Sequence, residues 1–399
     1  MSYRKTTIGE ICEYVTSGGT PKTSIESFYN PPTIPWLKTK EVNYCRIYET
    51  ETKISPEGLS RSSAKLIPIN SVIVAMYGQG DTAGRVAINK IPLATNQACC
   101  NLIIDSSKAD YEFVYYSLSA LYDKFVSLKN GGAQPNLNAG IIKSVEIPYP
   151  DIETQHRIAS ILSTYDNLIE NNQKQIKLLE EAAQRLYKEW FVDLRFPGCE
   201  DTLVVDGVPE GWEEQTLSDI ADVVMGQSPK SEFYNQEHNG LPFHQGVGSY
   251  GTRFVIDETY STSFARIAEA NSVLFSVRAP VGRLNITKNK IVIGRGLAAI
   301  NHKTGWQSYL FYLLKERFFK DDIVGNGSIF ASISKDELLG QKFVVPAKDL
   351  IRRFNGMVAQ IDGKIAVLDS QIELLKEACD RLLPKLMSGE VEVKICCSP

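Results

Sequence analysis

Two stretches of this 399-residue chain carry apolar side chains at alternating spacings of four and three residues. This spacing is the period of a coiled-coil seam, because it keeps one apolar stripe along a helix. In the first stretch the seam residues are Ile158, Leu162, Tyr165, Ile169, Asn172, Ile176, Leu179, Ala183, Leu186 and Trp190, of which Asn172 alone is strongly polar. A shift of 196 residues gives the second seam, which is Phe354, Val358, Ile361, Ile365, Leu368, Ile372, Leu375, Cys379, Leu382 and Leu386. The chain is therefore predicted to form two long helices that pack against each other.

The segments that precede the two helices repeat as well. Gly-Gly-Thr-Pro at residues 18–21 is echoed by Gly-Gln-Ser-Pro at residues 226–229, and a Gly-Arg pair occurs at 84–85 and again at 282–283. Both segments contain short β-branched runs separated by Gly, Pro and Asn turns, which is typical of small β-rich domains. The whole chain is thus predicted to be a tandem duplication.

The predicted fold class is α+β, with a mostly β domain followed by a long helix in each copy and the two helices forming an antiparallel coiled coil. The antiparallel arrangement follows from chain order, since the second domain must start its helix near the far end of the first helix. The predicted segments are a first domain at 1–150, a helix at 151–195, an acidic connector at 196–211, a second domain at 212–346, a helix at 347–390 and a tail at 391–399. A helix of about 38 residues would span roughly 55–60 Å. Pro384 is expected to kink or end the second helix early.

The charge of the chain does not by itself favour nucleic-acid binding. The net charge is −4, whereas a typical nucleic-acid-binding face is basic. Residues 1–150 carry 15 Lys and Arg against 13 Asp and Glu, and residues 196–211 carry four acidic and no basic residues. If the chain reads DNA, we expect a partner to supply part of the phosphate contacts.

Composition excludes several other classes of protein. No apolar run approaches the roughly 20 residues that span a bilayer, and the N-terminus lacks the apolar core of a signal peptide. We therefore expect a cytoplasmic protein that does not enter membranes. The eight cysteines form no Cys-x-x-Cys pair and there are four histidines, so no metal site is expected.

Catalytic motifs are also missing. Asn30-Pro31-Pro32 resembles the motif with which amino-methyltransferases hold their target, but Thr33 follows where an aromatic residue is needed. Neither a dinucleotide-type glycine loop in its strand-and-helix context nor a phosphate-binding loop is present. The chain is therefore predicted to be non-catalytic and to need no cofactor.

The duplication and its local motifs together resemble the specificity subunits of type I restriction–modification enzymes. The two Gly-x-Thr/Ser-Pro motifs are similar to the opening of their target-recognition domains. Residues 134–137, 147–150 and 155–158 are similar to the passage from a recognition domain into its conserved helix. In the second copy Ser-Ile-Phe-Ala at residues 328–331 replaces the Gln-Pro-x-Leu element, so that copy matches less well locally.

The resemblance implies a subunit that binds double-stranded DNA in a sequence-specific way. Each recognition domain would read one half of a bipartite target, and the helices would set the gap between the halves. Two modification subunits would dock on the helices, for which the off-seam residues Leu168, Leu178 and Leu374 are candidates, and restriction subunits would join them. Methyl transfer from S-adenosylmethionine and ATP-driven cleavage would belong to these partners.

Side chains that can read base edges or grip phosphates are the candidate DNA contacts. They are Lys38, Lys40, Gln79, Arg85, Gln134 and Asn136 in the first domain, and His244, Gln245, Arg278, Arg283 and Arg295 in the second. For each of them an ordinary exposed polar loop residue is the favoured alternative, and the shared Gly-Arg pair is equally consistent with a scaffold turn.

Two other functions remain open at the level of the sequence. One is a self-contained DNA adenine methyltransferase with fused recognition domains, which would bind S-adenosylmethionine on its own. The other is a coiled-coil scaffold with two protein-binding heads, which would show no sequence-dependent DNA binding.

Overall fold

The structure is a computed structural model that describes residues 3–129, 136–318 and 332–393. It divides into two compact units. The first comprises Met1–Asn172 and Ser370–Pro399, and the second comprises Gln173–Asp369. Each unit therefore contains one β-rich domain together with part of each long helix.

The first unit is built on two sheets. Its strands are β1 (Lys5–Thr7), β2 (Cys12–Ser17), β3 (Ile34–Leu37), β4 (Cys45–Ile47), β5 (Thr52–Ile54), β6 (Leu66–Ile67), β7 (Val72–Ala75), β8 (Val86–Asn89), β9 (Leu93–Thr95), β10 (Cys99–Ile104) and β11 (Glu146–Pro148). One sheet has the order β2-β10-β7-β8-β4 and the other β5-β3-β9-β6, while β1 pairs with β11. The β3–β9 and β4–β8 pairs are parallel, and the other strand pairs described in this unit are antiparallel.

Alternation along the central strand β7 explains how the core of this unit forms. Successive side chains of a strand point to opposite faces. Val72 and Val74 belong to a large core that also contains Phe113 and Ile158, whereas Ile73 belongs to a smaller core on the other face of the sheet. The helices of the first domain are α1 (Ile8–Ile11), α2 (Pro56–Ser60), α3 (Tyr111–Ser119), α4 (Tyr122–Ser127) and α5 (Ala139–Ser144).

The second unit repeats this plan. Its strands are β12 (Val204–Val205), β13 (Val208–Pro209), β14 (Glu213–Thr216), β15 (Ala221–Met225), β16 (Tyr234–Asn235), β17 (Leu241–His244), β18 (Tyr260–Ser261), β19 (Ile267–Ala268), β20 (Val273–Ser276), β21 (Leu284–Ile286), β22 (Ile291–Ile293), β23 (Leu297–His302) and β24 (Lys342–Val345). The sheet orders are β15-β23-β20-β21 and β16-β18-β17-β22-β19, with β12 paired to β13 and β14 to β24. Its domain helices are α7 (Leu217–Ile220), α8 (Gln307–Phe318) and α9 (Lys335–Leu339).

The duplication extends to single backbone angles. Asn70 and Asn271 precede the equivalent strands β7 and β20 with φ of 63° and 64°, and Gly84 and Gly282 follow them with φ of 99° and 88°. Asn tolerates this left-handed region better than most residues and Gly adopts it freely. The predicted α+β tandem duplication is confirmed.

The two long helices are α6 (Ile152–Phe191) and α10 (Lys348–Ser388). Their seam residues lie inward, and none of them is exposed. The buried ones are Ile158, Leu162, Asn172, Ile176, Ala183, Trp190, Phe354, Val358, Ile365, Leu368, Ile372 and Leu386, and the half-buried ones are Tyr165, Ile169, Leu179, Leu186, Ile361, Leu375, Cys379 and Leu382.

The helices run antiparallel within each unit. In the first unit Asn172 Nδ2 lies 3.3 Å from Gln371 Oε1, and Arg157 Nη1 lies 3.3 Å from the carbonyl oxygen of Val393. In the second unit the rings of Phe191 and Phe354 are 5.0 Å apart between their centroids. The end of one helix thus meets the start of the other.

The structure corrects one part of the expectation for Pro384, namely that it ends the second helix early. The helix α10 continues past this residue to Ser388 and does not end at it. A proline lacks the N–H that would bond to the carbonyl four residues earlier, and its ring crowds that carbonyl. The expected kink, in the turn before Pro384, stays a prediction.

The compact units do not follow the predicted domain boundaries, because they divide both long helices at residues 172–173 and 369–370. The boundaries at 150, 195, 211, 346 and 390 stay a prediction. Within the part of the chain that the structure describes, no helix combines the length and apolar character needed to cross a bilayer. The same residues contain no His, Cys, Asp and Glu grouping suited to a metal ion.

Candidate nucleic-acid interface

The two Gly-x-Thr/Ser-Pro turns have the same construction. A Cβ atom on Gly18 would overlap the carbonyl oxygen of Thr95, and one on Gly226 would overlap that of Gly294. The first glycine of each motif is therefore required by close backbone approach. The proline of each motif is bound by a tyrosine. The hydroxyls of Tyr29 and Tyr234 donate hydrogen bonds of 2.8 Å to the carbonyl oxygens of Pro21 and Pro229.

Polar side chains gather beside each of these turns, and we call the two groups turn edges. The first turn edge consists of Thr20, Lys38 and Gln97. The Thr20 hydroxyl is hydrogen-bonded to Gln97, and Lys38 Nζ lies 5.4 Å from the ring centroid of Trp36, whose Nε1 donates to Gly19. Gln97 is exposed and was not among the sequence candidates.

The second turn edge consists of Ser228, Gln245 and Arg295. Ser228 Oγ donates to Gln245 Oε1 at 2.8 Å and accepts from the backbone N–H of Arg295 at 3.2 Å. The side chains of Gln245 and Arg295 are exposed. The strands β3 and β17 place Lys38 and Gln245 equivalently, since both are the first residue after a strand that pairs in parallel with β9 or β22.

His244 differs from its neighbour Gln245 and is a correction to the sequence prediction. Its side chain is 1% exposed. Its Nδ1 lies 2.8 Å from Ser249 Oγ and its Nε2 lies 2.9 Å from Asp257 Oδ1. Because both ring nitrogens already have partners, His244 holds its loop in place and is no longer a candidate base contact.

The loop that contains Gly84 is held by an ion pair of its own and by residues outside it. Arg85 pairs with Asp81 at 2.6 Å and donates to Asn43 Oδ1 at 2.8 Å. A Cβ atom on Gly84 would lie 2.9 Å from Phe125 Cβ. A Cβ atom on the equivalent Gly282 would lie 3.1 Å from the Cβ of Phe318, so close packing against a phenylalanine explains the glycine in both copies.

The remaining sequence candidates belong to neither turn edge. Lys40 is exposed and forms an ion pair with Glu51, and Gln79 and Arg278 are exposed. Asn136 is half-buried, and Arg283 lines a cavity of about 360 Å³ in the second unit. Gln134 lies outside the described residues.

Asn30-Pro31-Pro32 occupies an exposed bend before β3. That position favours the interpretation of the motif as a turn over a catalytic element.

Sequence reasoning missed two buried arginines, Arg46 and Arg253, that join the β-rich domains to the long helices. The side chain of Arg46 is 4% exposed and lies beside Glu170, and the side chain of Arg253 is 3% exposed and lies beside Asp362. A signal was present, because two of their neighbours recur at the seam offset of 196 residues: Tyr116 with Tyr312, and Asp166 with Asp362. Burial raises the pKa of Asp166, which accepts a 2.6 Å hydrogen bond from Tyr116.

The outward faces of the long helices expose apolar side chains. Leu168, Leu178 and Leu374 are 45%, 56% and 65% exposed. Met357 and Val367, which the sequence prediction did not name, are 43% and 51% exposed. These side chains lie outside the seam and are candidates for a protein–protein contact.

Comparison with known proteins agrees with the motifs. The sequence profile described as the type I restriction modification DNA specificity domain matches residues 2–181 and again residues 209–353. The chain is 29% identical over 400 residues to the type I restriction enzyme MjaIX specificity subunit of Methanocaldococcus jannaschii, covering 95% of this chain and 91% of that protein. It is 29% identical over 193 residues to the EcoR124I/EcoR124II specificity subunit of Escherichia coli, covering 48% of this chain and 47% of that one.

A solved structure shares the fold. The S subunit of a type I restriction–modification system from M. genitalium superposes with a TM-score of 0.60 at 18% identity, covering 98% of this chain and 97% of that one. The resemblance seen in the sequence motifs is confirmed by the profile match to both halves. The chain therefore belongs to the family of type I restriction–modification DNA specificity domains, of which it carries two tandem copies.

Proposed function

We propose that this chain is the DNA-reading specificity subunit of a type I restriction–modification complex, in which each β-rich domain reads one half of a bipartite double-stranded target. The observation that carries the proposal is the pair of turn edges. One scaffold presents Thr20, Lys38 and Gln97 in the first copy, and Ser228, Gln245 and Arg295 in the second. Side chains of these types bond to base edges and phosphates, and different sets on one scaffold suit two different half-sites.

The same proposal assigns catalysis to partner subunits. Two modification subunits transfer methyl groups from S-adenosylmethionine, and restriction subunits cleave DNA with ATP, while this chain supplies recognition and binds no cofactor. The exposed leucines on α6 and α10 support docking of the modification subunits, because they lie outside the seam that the helices bury against each other. The proposal rests on family membership for the identity of these partners.

The long helices set the gap between the half-sites in this proposal. Each is continuous over 40 or 41 residues and contributes to both compact units. A helix of that length extends about 60 Å. Reading heads joined by such helices leave base pairs between them that neither head reads.

A domain exchange tests the proposal. The chain is co-expressed with its modification subunit, and methylated adenines are mapped across the host genome. We expect a bipartite motif, and replacing residues 212–346 with those of a relative should change one half of it and leave the other half intact. Replacing residues 1–150 instead is the matched control and should change only the other half.

Two results would contradict the proposal. Simultaneous change of both halves in either exchange would show that the domains do not read independently. Methylation by the purified chain alone, abolished by Asn30→Ala, would favour a self-contained methyltransferase.

A further inference from the structure

A buried arginine in the first unit connects the β-rich domain to α6. Arg46 lies in β4, and its side chain is 4% exposed. Its Nη1 donates to Asn167 Oδ1 at 2.6 Å and lies 3.4 Å from Glu170 Oε1. Its Nη2 lies 3.5 Å from Glu112 Oε1, on the domain helix α3. One guanidinium group thus joins a strand, a domain helix and a long helix.

The second unit contains an arginine in the same role with different partners. Arg253 is 3% exposed, and its Nη2 donates to Asp362 Oδ1 on α10 at 2.6 Å. Its Nη1 lies 3.8 Å from Glu180 Oε1 on α6. Its Cζ lies 3.7 Å from the ring centroid of Phe311, on the domain helix α8.

The surroundings of the two arginines are related by the duplication. Asp166 and Asp362 are 196 residues apart, as are Tyr116 and Tyr312. In the first unit Tyr116 donates to Asp166 at 2.6 Å, and in the second unit Arg253 itself bonds to Asp362. The two copies therefore keep a buried cation between domain and helix although its individual bonds differ.

A buried ion pair constrains geometry more strongly than apolar packing does. Apolar contacts are non-directional, so two packed surfaces can slide with little loss of buried area. A guanidinium group has fixed N–H directions, and a buried charge that leaves its partner is costly. An arginine at this place therefore selects one orientation of the domain on the helix.

We propose that Arg46 and Arg253 are positioning residues that fix the orientation of each recognition domain on the long helices, and so restrict the complex to one gap between half-sites. This inference rests on the proposed function. It adds that gap selectivity depends on the attachment of each domain as well as on the length of the helices.

The test uses the full chain co-expressed with its modification subunit, with adenine methylation mapped across the genome. The variants are Arg46→Met and Arg253→Met, and the control is Arg61→Met, which removes an exposed arginine paired with Glu57. For both buried positions we expect methylation at gaps one base pair longer or shorter to rise about tenfold relative to the normal gap, equivalent to ~1.4 kcal/mol of lost discrimination. The control should keep the wild-type gap.

Loss of folding is separated from loss of positioning by a second variant. Arg46→Met/Glu170→Gln also neutralises the carboxylate that the single change leaves without its cation, so its melting temperature should recover while the relaxed gap remains. Where Arg46→Met gives no complex, this double variant and Arg46→Lys are compared instead. A wild-type gap in the folded double variant would overturn the proposal, because the relaxed gap of Arg46→Met would then result from its lower stability.

Failure of the proposed function would be visible separately. In that case the wild-type complex itself would show no bipartite methylated motif, whatever the variants do.

Discussion

Gln245 is the side chain through which the second turn edge can be tested as a reading surface. It is exposed, and its amide oxygen is already oriented by Ser228. Gln245→Ala should reduce discrimination at one base pair of one half-site by about 1–3 kcal/mol, because an amide can form two hydrogen bonds to a base edge. Competition binding of the co-expressed complex to DNA variants measures this change.

The matched control for Gln245 is Gln236→Ala, which removes another exposed glutamine of the same domain. It should leave every position of the motif unchanged. Equal effects of both changes, or a uniform loss of affinity for all sequences, would contradict base reading by Gln245.

His302 should make the stability of the second unit depend on pH. Burial lowers the pKa of His302 to about 4 from 6.5, and its Nδ1 accepts a hydrogen bond from the backbone N–H of Thr304. Between pH 6.5 and pH 4, His302 is largely protonated in the unfolded chain and largely neutral in the folded chain. Its contribution to stability is therefore present above pH 6.5 and is lost progressively as the pH falls towards 4. Between pH 7 and pH 5 the loss should be about 2 kcal/mol.

Urea unfolding at pH 7 and pH 5 measures this loss. In His302→Gln the pH-dependent difference should shrink by about the same amount, whereas His238→Gln, which changes an exposed histidine of the same unit, should keep it. An unchanged pH dependence in His302→Gln would show that other groups cause it.

The sequence located some of these residues and missed others for a physical reason. Gln245 and Arg295 could be predicted because each lies in a polar turn that follows a strand. His244 is the neighbour of Gln245 in the sequence, yet the alternation of a strand turns its side chain to the interior. Arg46 and Arg253 were missed because a buried arginine looks like an exposed one until its carboxylate partners are placed beside it.

At the scale of elements, the two equivalent off-seam leucines test partner docking. Leu178 and Leu374 are 196 residues apart and are 56% and 65% exposed. Leu178→Ser and Leu374→Ser should each weaken the binding of one modification subunit. The loss of binding free energy should be about 2 kcal/mol for a leucine that is buried in the contact. Light scattering of co-expressed complexes should show one modification subunit in place of two, and the double variant should retain none.

Lys174→Ser is the control for docking, because Lys174 is exposed on the same helix. Its complex should keep two modification subunits. If the double leucine variant also keeps both, the partners bind elsewhere on the chain.

The long helices can be tested as a ruler by inserting four residues into each of them, after Asn172 in α6 and before Ser370 in α10. The insertion adds about 6 Å and 1.1 turns, so the seam is rotated only modestly. The methylated motif should keep both half-sequences, and its gap should lengthen by one or two base pairs, given the rise of about 3.4 Å per base pair. Methylome mapping checks this, with the same insertion in α6 alone as the mismatched control that should lose activity.

The helices were predicted closely because their four-three pattern is local. Their observed bounds, 152–191 and 348–388, lie within the predicted segments. The sheets could not be predicted in the same way. The parallel pairs β3–β9 and β4–β8 join segments that are far apart in the chain, and no local pattern specifies which strands meet.

At the scale of the whole molecule, the net charge of −4 limits what the chain can do alone. Affinity for DNA depends on how many phosphates a protein neutralises, and the slope of log K against log salt reports that number. The isolated chain should bind its target weakly and with a shallow salt slope. Addition of the modification subunit should raise the affinity and steepen the slope, which fluorescence anisotropy at several salt concentrations would measure.

A tight, steeply salt-dependent complex of DNA with the isolated chain would contradict the prediction that the modification subunit supplies most of the phosphate contacts. A scrambled DNA duplex of equal length is the control, and it should show the non-specific part of the binding alone.

The last helix also has a consequence for how the protein is made. Leu386 and Met387, near the end of α10, are buried in the same core as Phe113, Ile158 and Leu162. A ribosome releases the first domain some 200 residues before it synthesises the leucine and methionine that complete this core. The first unit must therefore wait, with part of its apolar interior uncovered, until the end of α10 has emerged from the ribosome. Translation that stops early would leave that interior open to whatever apolar helix it meets first.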